Sequence, residues 1–186
     1  MWVIIDIFGA SIIAGIILVA IFGMNVNLDQ ATYNKTFTLI TQTNAVTLAR
    51  MIEYDFIKIG YHTSKPAIFA IKPDSISFMA NLRNSSTGTA ADTNYVRYYV
   101  GPVAGLGSTK NPRDRMLYRV EDGKTIAANL GVTSLAFTYY DKDGLTTSIP
   151  DSVKSINVVF TCESPYPVDT TYAASFWQKR IYPRNL

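Results

Sequence analysis

The sequence predicts an α+β protein in which one long N-terminal helix spans a membrane with its first half and covers an antiparallel β-sheet head with its second. Three observations carry this prediction. Residues 1–34 hold no Lys or Arg and only two acids, Asp6 and Asp29, which bracket an apolar run from Ile7 to Met24. Apolar residues then recur at intervals of three and four as far as Ile59. Beyond Gly60 the period falls to two, and short runs rich in Tyr, Thr and Val alternate with turn residues.

The first element follows from length. At 1.5 Å per residue, Ile7–Met24 together with Trp2–Ile5 covers a hydrocarbon core about 30 Å thick. A cleavable secretory signal is the competing reading. It would need a basic n-region, a shorter apolar core and a small-residue cleavage site, whereas the only such pattern, Leu18-Val19-Ala20, lies inside the apolar run. The retained helix is the expectation. Its second half carries Ala45, Leu48, Ala49, Ile52, Phe56 and Ile59 on one face and Gln42, Arg50, Glu53 and Lys58 on the other. Gly60 ends it. One continuous helix over about 2–59 is the expectation; its weak points are Gly23 and the polar stretch 25–29, where Asn and Asp side chains compete for backbone hydrogen bonds.

Strands are expected at 67–71, 75–80, 95–100, 116–121, 134–140, 155–162 and 174–182, with turns at Pro73-Asp74 and Asp141-Lys-Asp-Gly144 and longer loops over 84–93 and 101–113. A half-buried sheet needs a cover, and the amphipathic half of the helix is the only long element able to provide it. Phe37, Leu48, Ile52 and Phe56 are expected to pack on Phe78, Val96, Leu135, Phe137, Val158 and Phe160. The chain therefore divides into 1–24, the transmembrane half of the helix; 25–59, its amphipathic half; and 60–186, a β-rich extracytoplasmic head.

Composition narrows the function. A net charge of +3, with 17 cationic residues spread from Lys35 to Arg184, makes no basic patch, so no nucleic acid is expected. Cys162 has no second thiol to pair with and is expected to pack as a small apolar side chain. With one His, one Cys, no phosphate-cradling Gly loop and no spaced ligand set, the parts for catalysis are missing and the chain is read as non-enzymatic. The first helix lacks a basic flank, so the positive-inside rule does not orient it. The Tyr, Thr and Ser content of the head favours the extracytoplasmic side, which is the expectation.

Several local patterns bear a family resemblance. The segment Leu48-Ala-Arg-Met-Ile-Glu-Tyr-Asp-Phe-Ile-Lys-Ile-Gly-Tyr61 is similar to the helix end of W-type minor pilins and J-type minor pseudopilins of type II secretion. Asp74-Ser-Ile-Ser-Phe78, Val96-Arg-Tyr-Tyr99 with Met116-Leu-Tyr-Arg119, the run from Ile126 to Gly144, and the closing Arg184-Asn185-Leu186 resemble successive segments of the same proteins in the same order. The resemblance to this type IV pilin-like family implies a structural subunit that leaves the inner membrane and bundles its helix with those of other pilin-like subunits. It also implies a separate assembly ATPase and platform protein, and a periplasmic or cell-surface filament. The chain departs from the family pattern in lacking a basic leader ending in Gly before "F-T-L-x-E"; a processed form and a lineage without the leader both account for this.

Counted from Trp2, Asp6 falls at the fifth residue, where the family places Glu. The resemblance thus implies that Asp6 neutralises the N-terminal amine of an adjacent subunit. The alternative is that Asp6 lies among lipid headgroups and favours the helix dipole. Ala10 with Ala14, and Ser11 with Gly15, place small residues four apart, where two helices can approach closely in lipid. Asp141 and Asp143 before Gly144 look like the start of a calcium loop, but the further oxygen donors are missing and Ser152 stands where an EF-hand needs Glu, so no cofactor is expected and a hairpin turn is favoured. Two other functions stay open: a solitary membrane-anchored module binding a ligand or polymer through 94–107 and 165–172, and a homopolymeric major fibre subunit.

Overall fold

A computed structural model describes residues 2–63, 66–82, 93–103, 106, 109–167 and 170–186. The expected loop 84–93 therefore lies, apart from Thr93, outside the described residues, as do parts of 101–113 and 165–172. Helix α1 runs unbroken from Trp2–Ile57, 56 residues, or about 84 Å at 1.5 Å per residue. The continuous helix expected from the sequence holds through its weak point at 25–29, where all five residues are helical. Once a helix is propagating, each added residue closes one more backbone hydrogen bond, and one Asn–Asp stretch does not outweigh that. Hydroxyls along the exposed rod bond back to the preceding turn, as Ser11 Oγ does to the Ile7 carbonyl at 2.8 Å and Thr32 Oγ1 to the Leu28 carbonyl at 2.8 Å. The helix stops at Gly60, whose φ of +76° favours glycine and whose N–H donates to the Met79 carbonyl at 3.0 Å.

Seven antiparallel strands follow: β1 (Ile68–Lys72), β2 (Ser75–Ala80), β3 (Asn94–Val100), β4 (Arg115–Glu121), β5 (Lys124–Tyr140), β6 (Ser155–Glu163) and β7 (Ala174–Ile181). They lie side by side in chain order in a single sheet. Six strands match the expected spans to within a residue or two. The exception is β5, expected from Ser134 but beginning at Lys124. Its first half escapes the period-two reading because Lys124–Ala127 are exposed on both faces, so pairing with β4 holds it there without burial to mark it. The β4–β5 hairpin turns on Asp122-Gly123, with φ of 49° and 81°. Positive φ at both central residues matches the right-handed twist of the flanking strands.

The sheet curls until its first hairpin meets β5. Phe137 N–H donates to the Pro73 carbonyl at 2.7 Å, and the Tyr139 hydroxyl lies 2.8 Å from the Lys72 carbonyl and 3.1 Å from that of Ser75. Within the curl, Ala45, Leu48, Ala49, Ile52 and Phe56 of α1 are buried against the inward residues of the strands, among them Ile76, Phe78, Val96, Leu117, Phe137, Val158 and Phe160. Phe56 sits at the centre, its ring 5.5 Å from Phe78, 5.8 Å from Tyr98 and 5.8 Å from Phe137. Burying each such side chain contributes roughly 1.5–3 kcal/mol. One expected core residue is displaced: Phe37 is half-buried and its ring meets Tyr166 at 6.3 Å, not the sheet. It lies two turns nearer the membrane half than the first well-buried apolar side chain, Ala45, so it reaches only the chain following β6.

Candidate functional site

Two regions of α1 differ sharply. From Trp2 to Thr36 every residue is exposed, including Ile7, Phe8, Ile12, Ile13, Ile16 and Phe22 at 60% or more. The 18-residue window of highest hydropathy is nowhere buried among the described residues. So much uncovered apolar area is not stable in water, and the helix is long and apolar enough to cross a membrane. The apolar part ends near Met24. Residues 25–36 then form a polar helical stalk about 18 Å long between that point and the head.

Within the span, Asp6 is the only charged side chain and is fully accessible. Ala10 and Ala14 lie one turn apart on the same stripe, one turn beyond Asp6, and Ser11 and Gly15 form the neighbouring pair; all four are exposed. A Cβ added at Gly9 or Gly15 would meet nothing within 4 Å. Among the described residues nothing covers this small-residue surface.

The head grips the other half of the helix through a buried polar clamp that the sequence reading missed. Asp55 projects from the apolar face, between Ile52 and Phe56, and is buried. Its Oδ2 accepts from the Tyr98 hydroxyl on β3 and from Arg119 Nε on β4 at 2.7 Å. Arg119 Nη1 donates in turn to Glu121 Oε2 at 2.7 Å. Burial, and then the Asp55 charge, hold the Tyr98 hydroxyl protonated well above its ordinary range. For Arg119, burial alone would favour loss of the proton, but bonds to Asp55 and Glu121 outweigh it and raise the affinity for that proton. A carboxylate inside an otherwise apolar stripe was the available signal, because an acid on a buried helix face requires a partner. On the opposite flank Lys179 Nζ reaches Glu53 Oε2 at 2.8 Å, a half-exposed pair contributing about 0–1 kcal/mol.

The Asp141 turn is self-contained. Its Oδ1 accepts from the N–H groups of Asp143 and Leu145, both at 2.9 Å, so one carboxylate oxygen shapes the hairpin while Asp143 is exposed. Among the described residues no group of three or more His, Cys, Asp or Glu side chains is placed to hold a metal ion. Cys162 is buried under the sheet, and burial, with a smaller contribution from the Asp114 charge, pushes its thiol up to about 12. His62 is exposed beyond the helix end, its ring against Tyr61. The sequence matches no protein-family model, and no curated protein matches it significantly.

Proposed function

We propose that this chain is a non-enzymatic filament subunit, similar to minor pilins and pseudopilins, that assembles by packing its bare helix among the helices of other pilin-like subunits. The observation that carries this reading is the contrast along α1: 35 consecutive exposed residues, apolar for two-thirds of their length, rooted in a head that holds the same helix through a buried ion pair. A mere anchor needs about 20 apolar residues and no rigid connection to its head. Here the polar stalk continues the same rod, and small residues line the apolar span beside Asp6, its only charge. In the membrane the helix rests in lipid; in the assembly, neighbouring helices replace the lipid and Asp6 meets a complementary positive charge. The head faces the extracytoplasmic side, and a separate ATPase and platform protein supply the work of extraction.

The test is cross-linking in native membranes. Single cysteines at Ala10 or Ala14 should couple to neighbouring pilin-like subunits, and Asp6→Ala should lower the yield roughly fivefold, equivalent to about 1 kcal/mol, while leaving the protein in the membrane fraction. An undiminished yield would remove Asp6 from assembly. Absence of any helix-to-helix coupling would instead favour the solitary anchored module.

A further inference from the structure

On the outer side of the sheet, away from α1, lies a cleft of about 420 Å³ bounded by the chain leading into β4 and by β5 and β6. Two irregularities open it. The β4–β5 register shifts between Arg115 and Leu117, and the β5–β6 register shifts between Val132 and Ser134, leaving Thr133 as an extra residue. Such bulges re-aim side chains beside functional sites. Gly131 makes the second one possible: its φ is +69°, and a Cβ there would lie 2.2 Å from the Glu163 carbonyl oxygen.

The side chains facing the cleft are mostly donors. Arg115 is half-buried and makes no ion pair among the described residues, and its Nε is buried without a hydrogen-bond partner. The Ser134 and Thr161 hydroxyls line the same space without a protein partner among the described residues, and Thr133 Oγ1 spends its proton on the Thr161 carbonyl at 3.4 Å. Arg113 also lines the cleft and pairs with Glu163, whose Oε2 accepts from Arg113 Nη2 at 2.8 Å, Arg113 Nε at 3.0 Å and Asn111 Nδ2 at 2.8 Å. One oxygen of this carboxylate thus accepts three N–H bonds from Arg113 and Asn111. Among the lining side chains the excess is one positive charge, carried by Arg115. The buried Asp114 is not among the residues that line it.

A guanidinium whose two terminal nitrogens have no protein partner among the described residues, flanked by hydroxyl-bearing side chains, is matched by an oxyanion that accepts two N–H bonds. We infer that this cleft is a binding site for a tetrahedral oxyanion, phosphate or sulfate, gripped by Arg115 and capped by the Ser134 and Thr161 hydroxyls. Free phosphate and the phosphate of a lipid headgroup share this chemistry.

The experiment uses the full chain in a maltoside detergent, titrated calorimetrically with inorganic phosphate, with sulfate and with a short-chain phosphatidylglycerol below its micellar concentration. Saturable binding is expected, weakened about tenfold or more in Arg115→Gln and less in Arg115→Lys, which keeps the charge but loses the fork. Tighter binding of the lipid than of inorganic phosphate assigns the headgroup as the source, and the reverse order assigns the free ion. Near-ultraviolet circular dichroism reports folding of each variant. Should Arg115→Gln fail to fold, Thr161→Val keeps the charge and should still weaken binding about threefold by removing one hydroxyl donor. The inference is overturned if none of the three probes binds saturably, or if binding is equal in the wild type and in a folded Arg115→Gln or Thr161→Val variant.

Discussion

Asp55 shows how much one buried charge can decide. Replacing it with Ala leaves Arg119 and Tyr98 facing an apolar helix without their shared acceptor, and the head should lose about 3–5 kcal/mol, measurable as a lowered denaturant midpoint. Tyr98 adds a pH dependence whose sign follows from its raised folded value. The unfolded phenol ionises near its ordinary pKa of about 10, whereas the folded one keeps its proton beyond that. Its contribution to stability is therefore complete below that pH and declines as alkalinity rises through the folded value. Tyr139, likewise raised by burial, adds to the same trend. Tyr98→Phe should flatten part of the alkaline decline in unfolding free energy while costing about 1 kcal/mol at neutral pH through the lost hydrogen bond. Neither residue's role was written in its own neighbourhood. Asp55 announced itself as a charge out of place on an apolar stripe, but its partners lie 43 and 64 positions further on, and nothing local names them.

At the level of elements, legibility tracked burial. Helix α1 was readable along its whole length because apolar spacing marks both its membrane half and its packed half. Strands β2, β3 and β6 bury alternating or near-continuous residues and were found to within a residue of their bounds. The first half of β5 has no buried face and was missed, together with the Asp122-Gly123 turn that creates its hairpin. The outer cleft was illegible for a related reason: its donors come from the approach to β4, from β5 and from β6, and two register shifts bring them together. The second of those shifts depends on Gly131. Gly131→Ala should destabilise the head by at least about 2 kcal/mol, combining the cost of a positive φ for a residue with a Cβ and the contact with the Glu163 carbonyl; thermal unfolding would register it. The same change at Gly123, where a Cβ meets nothing within 4 Å, isolates the backbone contribution.

Across the whole molecule, a curled seven-stranded sheet encloses the last four turns of a helix whose first 35 residues it never touches. The sequence supports the bare half by composition and the enclosed half by periodicity, whereas the polar clamp near the end of the enclosed half belongs only to the folded chain. That clamp has an effect far from where it sits. With Asp55 fastened to β3 and β4, Glu53 tied to β7, and no break in α1, the helix behaves as a keyed shaft whose azimuth is locked to the head. The compass bearing of Asp6 around the helix axis is then geared to the direction the sheet faces. One residue inserted into the stalk would swing that bearing by about 100°, two full turns' worth of seven residues would nearly restore it, and the head would face its neighbours accordingly.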